Sequence, residues 1–470
     1  MNRTYILWAI GVFLILANAC STKDECTDAP SGSLTFSING LPDNSTTIGD
    51  VSNVGDGGEV TYTILSGNEA SFFALNSSTG IITINDVEGF TSDLALTYSI
   101  AIETTNGSCK EGVIDVTITK EYFEARVADF IEKKRVQYGI QGLGYTVLLP
   151  HKNIEYGLSG RASATLPLSE EKVWSWMSNT KMVTSCIILQ MAEDGLLSID
   201  DPISTYGISY PNIDNNYTIG CLLGMNTDFY NFSDNSDLWT AVYADVEKVW
   251  QVDDVLNNYI STPTNGSCSE YSYSNTNYAI LGRIIETVSG KSLQTVANEL
   301  VFQPLGLVKT KLSTEGIPAS ELNGVWYNFG SSAEDQSTQS TNAWLSIWGG
   351  AGSLTSTTYE MALLVKGVLS TDLLSQSSID YALTSSSSYI QSTPQLNLDY
   401  EYGRGFGLYT YSNQFAYGHG GTGLHKSISI FDRWNNITIA VVYNHVSDLD
   451  DSKRADIALG LYDIAYDEIN

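Results

Sequence analysis

Trp176-Met-Ser-Asn-Thr-Lys181 runs directly into Met182-Val-Thr-Ser-Cys-Ile-Ile-Leu-Gln-Met-Ala192, a mostly apolar stretch that stops at Gly195. An apolar run of this length closed by a glycine predicts a buried helix. Ser178 then falls at the N-terminus of the helix, and Lys181, three positions on, shares its face. A serine hydroxyl is a poor nucleophile until a base removes its proton. Lysine serves as that base when burial lowers its pKa from about 10.4 toward neutrality. The spacing alone decides nothing, because Ser169-Glu-Glu-Lys172 repeats it. That second copy lies in a charged stretch with no apolar run behind it and reads as surface.

Two further motifs follow downstream. Tyr273-Ser-Asn275 precedes the apolar segment Ala279-Ile-Leu-Gly-Arg-Ile-Ile-Glu-Thr-Val-Ser-Gly290. This pattern predicts a loop presenting Tyr273 and Asn275, anchored by a helix. Next to a lysine ammonium, Tyr273 is expected to ionise more easily and to act as acid or base. Asn275 is expected to hydrogen-bond a substrate amide or to hold Lys181. His419-Gly-Gly421-Thr422 leads into Lys426-Ser-Ile-Ser-Ile-Phe431, read as a strand whose glycines let its edge approach a ligand. The backbone N–H of Thr422 is expected to pair with that of Ser178 as an oxyanion hole.

In this order the three motifs resemble the serine β-lactamase-related family, which takes in class C β-lactamases, penicillin-binding-protein-like D-alanyl-D-alanine carboxypeptidases, D-aminopeptidases and esterases. The likeness runs from Glu121 to the C-terminus. Glu193-Asp-Gly-Leu-Leu-Ser-Ile-Asp-Asp-Pro202, Phe302-Gln-Pro-Leu-Gly-Leu307, Ala351-Gly-Ser-Leu354 and Tyr402-Gly-Arg-Gly-Phe-Gly407 add to it. The resemblance implies that Ser178 is the nucleophile, Lys181 its activating partner and Tyr273 the acid/base. It also implies that Asn275, His419, Gly421 and Thr422 contact substrate, with His419 standing where the family often has lysine. No cofactor or metal is needed for such chemistry. Where the family usually carries His-Thr-Ser-Gly, this chain reads Leu222-Leu-Gly-Met-Asn-Thr-Asp-Phe229. That departure leaves open a non-catalytic binding lipoprotein with a hydrolase-like fold.

The 470 residues allow two or three domains. From about Ser33 to Lys120 short alternating runs, such as Leu34-Thr-Phe-Ser-Ile38 and Leu96-Thr-Tyr-Ser-Ile-Ala-Ile102, are separated by turn residues, which predicts an all-β sandwich. Tyr62-Thr-Ile-Leu-Ser-Gly-Asn68 followed by Phe73-Ala-Leu-Asn-Ser-Ser-Thr-Gly-Ile-Ile82 resembles a cadherin-like module, read as a spacer rather than an adhesion surface. The acidic calcium ligands expected of such modules are not evident. From Glu121 the pattern changes to a helix (Glu121–Gln137) that opens residues 121–470, an α/β (α+β) hydrolase domain with strands such as Tyr145–Leu149 and Ile437–Tyr443.

The formal net charge is -30 and only 16% of residues are charged. Such a surface repels nucleic acid and anionic membrane. Residues 1–19 read as a signal peptide: Asn2-Arg3, then an apolar run too short to span a bilayer, then small residues before Cys20. This pattern resembles a lipoprotein signal with lipidation at Cys20, followed by a linker over 20–32. It implies a place in the cell envelope, on the outer membrane and in reach of the cell surface. Of the other five cysteines, Cys26–Cys109 and Cys221–Cys268 are expected to pair, and Cys186, inside the apolar helix, to be a buried free thiol.

Overall fold

The strands Lys426–Asp432 and Ile437–Tyr443 are buried at every position, so both faces of the sheet they form are covered. They lie at the middle of an eight-stranded antiparallel sheet. Its order is Gln391–Thr393, Leu398–Tyr402, Gly407–Tyr411, Gln414–Thr422, Lys426–Asp432, Ile437–Tyr443, Gly142–Leu148 and Glu155–Gly160. The helices Thr358–Gly367 and Ser452–Ile469 pack on the central strands. This computed structural model describes residues 29–52, 60–93, 95–106, 109–150, 155–264, 266–268, 270–327, 334–387, 390–446 and 451–470. The chain divides into two units at Asp129/Phe130, inside the helix Phe123–Gln137.

The C-terminal unit also has a helical lobe. Its centre is the helix Thr180–Glu193, in which Lys181 to Leu189 are all buried, packed on the helix Asn275–Ser289. The apolar run therefore does form a buried helix, but it begins two residues after Ser178. The strand Trp174–Met177 carries the chain to Ser178, and Met177 adopts a left-handed φ of 49°. A non-glycine residue in that region costs on the order of 1–3 kcal/mol and persists only when its neighbours fix it. Thr180 Oγ1 donates to the Met177 carbonyl at 2.6 Å and accepts from the Leu354 N–H at 2.9 Å. Asn179, fully buried, donates to the Trp176 carbonyl (2.8 Å) and to Ser427 Oγ (3.1 Å), and accepts from Ser429 Oγ at 2.7 Å. The turn that carries Ser178 is thus fastened to the central sheet from below.

In the N-terminal unit, a four-stranded sheet (Gly32–Ile38, Cys109–Lys120, Thr97–Asn106, Val60–Ser66) and a three-stranded sheet (Thr47–Asp50, Ile81–Ile84, Phe73–Leu75) share one apolar core. The run Leu34–Ile38 lies within the first of these strands, and Leu96–Ile102 overlaps Thr97–Asn106 from its second residue on. The unit is not purely β, because Val87–Ser92 is a short helix, capped by the Asp86 side chain. Lys120 caps its other end. The Lys120 ammonium is 1% exposed, donates to the carbonyls of Phe90 and Asp93, and sits 4.5 Å from the Phe90 ring centre. Burial lowers its pKa to about 8, with nearby Asp93 opposing the shift.

Cys221 and Cys268 form a disulfide, and Cys186 is a buried free thiol. Cys20 and Cys26 lie outside the described residues, and with them the expected lipidation and the Cys26–Cys109 pair. Among the described residues no helix is long and apolar enough to cross a membrane, and no cluster of His, Cys, Asp or Glu could hold a metal ion.

Asn179→Ala removes a side chain that satisfies a buried carbonyl and two hydroxyls. It is expected to destabilise the C-terminal unit by roughly 1–3 kcal/mol, read as a lower urea midpoint at unchanged slope.

Candidate active site

Ser178 Oγ stands between two groups that the sequence placed apart. Lys181 Nζ is 2.9 Å away and Tyr273 Oη also 2.9 Å. Lys181 is fully buried and makes two further contacts, with Asn275 Oδ1 at 2.7 Å and the Ala351 carbonyl at 2.8 Å. Desolvation drives its pKa well below the ordinary 10.5. No carboxylate pairs with it among the described residues, so only hydrogen bonds offset the cost of charge.

Desolvation favours the neutral amine, and the proton positions are those of that form. A neutral lysine amine has two hydrogens and one lone pair. Asn275 Oδ1 and the Ala351 carbonyl can only accept, so they take the two hydrogens. The lone pair is left for Ser178, whose O–H donates to it. Tyr273 O–H then donates to Ser178 Oγ. The arrangement is a base already pointed at a serine proton.

Asn275 is held in the orientation this requires. Its Nδ2 donates to Asn231 Oδ1 (3.2 Å) and Ser233 Oγ (3.1 Å), and its backbone N–H also donates to Asn231 Oδ1 at 3.0 Å. This fixes Oδ1 toward Lys181. Asn275 is 7% exposed and is the first residue of its helix, which starts four residues before the apolar segment the sequence pointed to. Of its two expected roles, the structure places it against Lys181. Asn231 and Ser233 were not singled out by the sequence. They lie some forty residues from Asn275, at the short 3-10 helix Phe232–Asp234, and no spacing marks them.

Tyr273 departs from expectation. Its phenol is not easier to ionise. Burial raises it above its ordinary value, with the Ser178 hydrogen bond and Arg454 opposing. The residue is 36% exposed. Lys181 offers no compensating charge because it is itself desolvated. Tyr273 is therefore a neutral donor in the resting site. The disulfide anchors its loop: Cys268 lies five residues before Tyr273 and is tied to Cys221 in the helix Ile219–Leu223.

His419 closes the other side. It is 4% exposed, and its Nδ1 lies 2.5 Å from the Gly420 carbonyl. A carbonyl only accepts, so the proton is on Nδ1 and Nε2 is a bare acceptor, buried without a partner. Desolvation, then the nearness of Lys181, lower the imidazole pKa to about 3. The ring is neutral at physiological pH, unlike the lysine it stands in for. Gly421 is required by the close approach of its strand, since a Cβ there would stand 2.3 Å from the Trp176 carbonyl. Thr422 accepts from Arg454 Nη1 at 3.0 Å, and Arg454 is paired with Asp451 at 2.8 Å. The altered stretch Leu222–Phe229 packs behind the site, where Thr227 Oγ1 donates to Asn277 Oδ1 at 2.8 Å and Tyr217 O–H donates to Asp228. Ser169 and Lys172 lie in a turn away from this cluster, tied to Asn323.

Residues 123–463 match the β-lactamase family. The chain belongs to the β-lactamase family. Penicillin-binding protein 4 of Amycolatopsis lactamdurans is 28% identical over 152 residues, which are 30% of this chain and 36% of that protein. The chain thus spans about a third of that relative's length. Among solved structures, the D-stereospecific amidohydrolase from Streptomyces sp. superposes with a TM-score of 0.60 at 20% identity, covering 71% of this chain and 98% of that one. The D-amino acid amidase of Ochrobactrum anthropi SV3, complexed with L-phenylalanine, gives 0.61 at 20% over 73% and 98%. The octameric penicillin-binding protein homologue from Pyrococcus abyssi gives 0.58 at 19% over 73% and 76%. With the family match, these likenesses establish a β-lactamase/transpeptidase-like α/β fold for the C-terminal unit.

Because the unprotonated amine is the active form, kcat/KM for an ester should hold a plateau at neutral pH and fall only as pH drops through the depressed Lys181 pKa. A stopped-flow pH series reads this limb. Lys181→Arg, which stays protonated, should lose on the order of 100-fold or more.

Proposed function

We propose that the protein is a hydrolase that works through an acyl-enzyme on Ser178 and that its substrates are amides or peptides of D-amino acids, with β-lactams and simple esters as further acyl donors. The observation that carries this reading is Ser178 Oγ standing 2.9 Å from both a desolvated amine and a phenol. Lys181 Nζ takes the Ser178 proton as Oγ attacks the carbonyl carbon. The backbone N–H groups of Ser178 and Thr422 receive the oxyanion. Tyr273 gives its proton to the leaving nitrogen or oxygen as the carbonyl reforms, and the proton on Lys181 returns to Tyr273. Water then attacks the ester, its proton is taken by the same pair, and Ser178 is regenerated with the free acid. Asn275 positions Lys181, and His419 and Gly421 line the substrate side.

D-amino acid substrates are favoured by the named activities of the structural relatives from Streptomyces and Ochrobactrum. We place the enzyme in the cell envelope, tethered by a lipid on Cys20, with the N-terminal unit as a cadherin-like spacer. The rival reading, a binding protein without turnover, rested on the altered stretch Leu222–Phe229. That stretch supports the Asn275 helix and leaves the Ser178–Lys181–Tyr273 contacts in place.

Incubation with a fluorescent penicillin and with a fluorophosphonate separates the two. Wild type should be labelled by at least one probe and hydrolyse a D-amino acid amide, with both lost in Ser178→Ala. If neither probe labels wild type and no amide or ester is cleaved, the binding-protein reading replaces this one.

A further inference from the structure

Next to Tyr273 lies a group of tyrosines that the acylation chemistry does not use. Tyr271 lies two residues before Tyr273. Tyr400 and Tyr402 stand on the strand Leu398–Tyr402 and Tyr409 on Gly407–Tyr411, where Tyr400 and Tyr409 are direct cross-strand partners. Ring centres are 5.2 Å apart for Tyr400–Tyr409, 5.3 Å for Tyr271–Tyr402 and 6.2 Å for Tyr273–Tyr402. Gly407 makes the arrangement fit, since a Cβ there would stand 2.6 Å from the Tyr400 ring and 2.9 Å from the Tyr409 ring.

Tyr271, Tyr400 and Tyr409 each keep part of their surface open to solvent, while Tyr402 backs them and is fully buried. Desolvation nonetheless raises every one of these phenols, Tyr409 to about 12. His419 Nε2, on a ring 5.8 Å from that of Tyr402, is buried without a hydrogen-bond partner among the described residues. Arg454 and Asp451, the two charges that act on Tyr409, are paired with each other.

We propose that Tyr271, Tyr400, Tyr402 and Tyr409 form the substrate's side-chain subsite and that it selects a flat, uncharged aromatic group on the acyl donor. This rests on Ser178 being the nucleophile. Aromatic rings gain from offset or edge-to-face contact with such a wall. A carboxylate placed there would lose part of its hydration.

Binding to the Ser178→Ala protein, measured by calorimetry, tests the subsite without turnover. The probes are D-phenylalanine amide, D-alanine amide and the α-amide of D-glutamate, which share one ammonium and one carboxamide. The phenylalanine amide should bind roughly tenfold or more tighter than the alanine amide, and the glutamate derivative most weakly. Tyr400→Ala and Tyr400→Leu should bring the phenylalanine-to-alanine ratio toward one, and Tyr400→Phe should keep it. A ratio near one in the parent, or one that both variants leave unchanged, overturns the subsite. Fluorophosphonate labelling of wild type is run alongside. Its failure would count against Ser178 as nucleophile while the binding ratios still judge the wall.

Discussion

A lysine amine held out of water, with two carbonyl-type acceptors and no carboxylate, is the constraint on which the rest of the site depends. Burial of an isolated ammonium costs far more than loss of its proton, so the group neutralises. Everything around Lys181 suits the neutral form. Asn275 Oδ1 and the Ala351 carbonyl occupy its two hydrogens, and the remaining lone pair meets Ser178. Tyr273, which the surroundings keep protonated, completes the chain of donors from the other side.

Holding that amine in place takes three parts of the fold. The helix Thr180–Glu193 delivers Lys181 from a solid apolar base. The helix Asn275–Ser289 delivers Asn275, which Asn231 and Ser233 orient. The segment after Trp348 delivers the Ala351 carbonyl. The central sheet, through Asn179 and the serines of Lys426–Asp432, fixes the strained turn at Met177 that presents Ser178. A general base needs its partner within hydrogen-bond reach, so small shifts in any of these would be felt at the serine.

The parts of this that the sequence made legible are those written in local pattern. The apolar run after Lys181 marked the buried helix, and Tyr273, His419 and the Cys221–Cys268 pair stood out by type and context. What was not legible depends on residues far apart in sequence. Asn275 read equally well as a substrate contact because its orientation is set by Asn231 and Ser233, some forty residues away. Tyr273 seemed poised to ionise because the sequence put a lysine beside it without showing that the lysine is uncharged. The left-handed Met177 leaves no signature, since it is a tertiary strain imposed on an ordinary residue. The tyrosine wall was equally hidden, as its members come from two adjacent strands and a distant loop.

The most direct test of the account is the protonation state of Lys181 itself. With lysine labelled at Cε by carbon-13 and the signal assigned by its loss in Lys181→Met, its chemical shift can be followed against pH. The account predicts a resonance that already shows the neutral amine at pH 7 and titrates well below the ordinary lysine range. A Lys181 signal that stays that of the ammonium up to about pH 10 would contradict it.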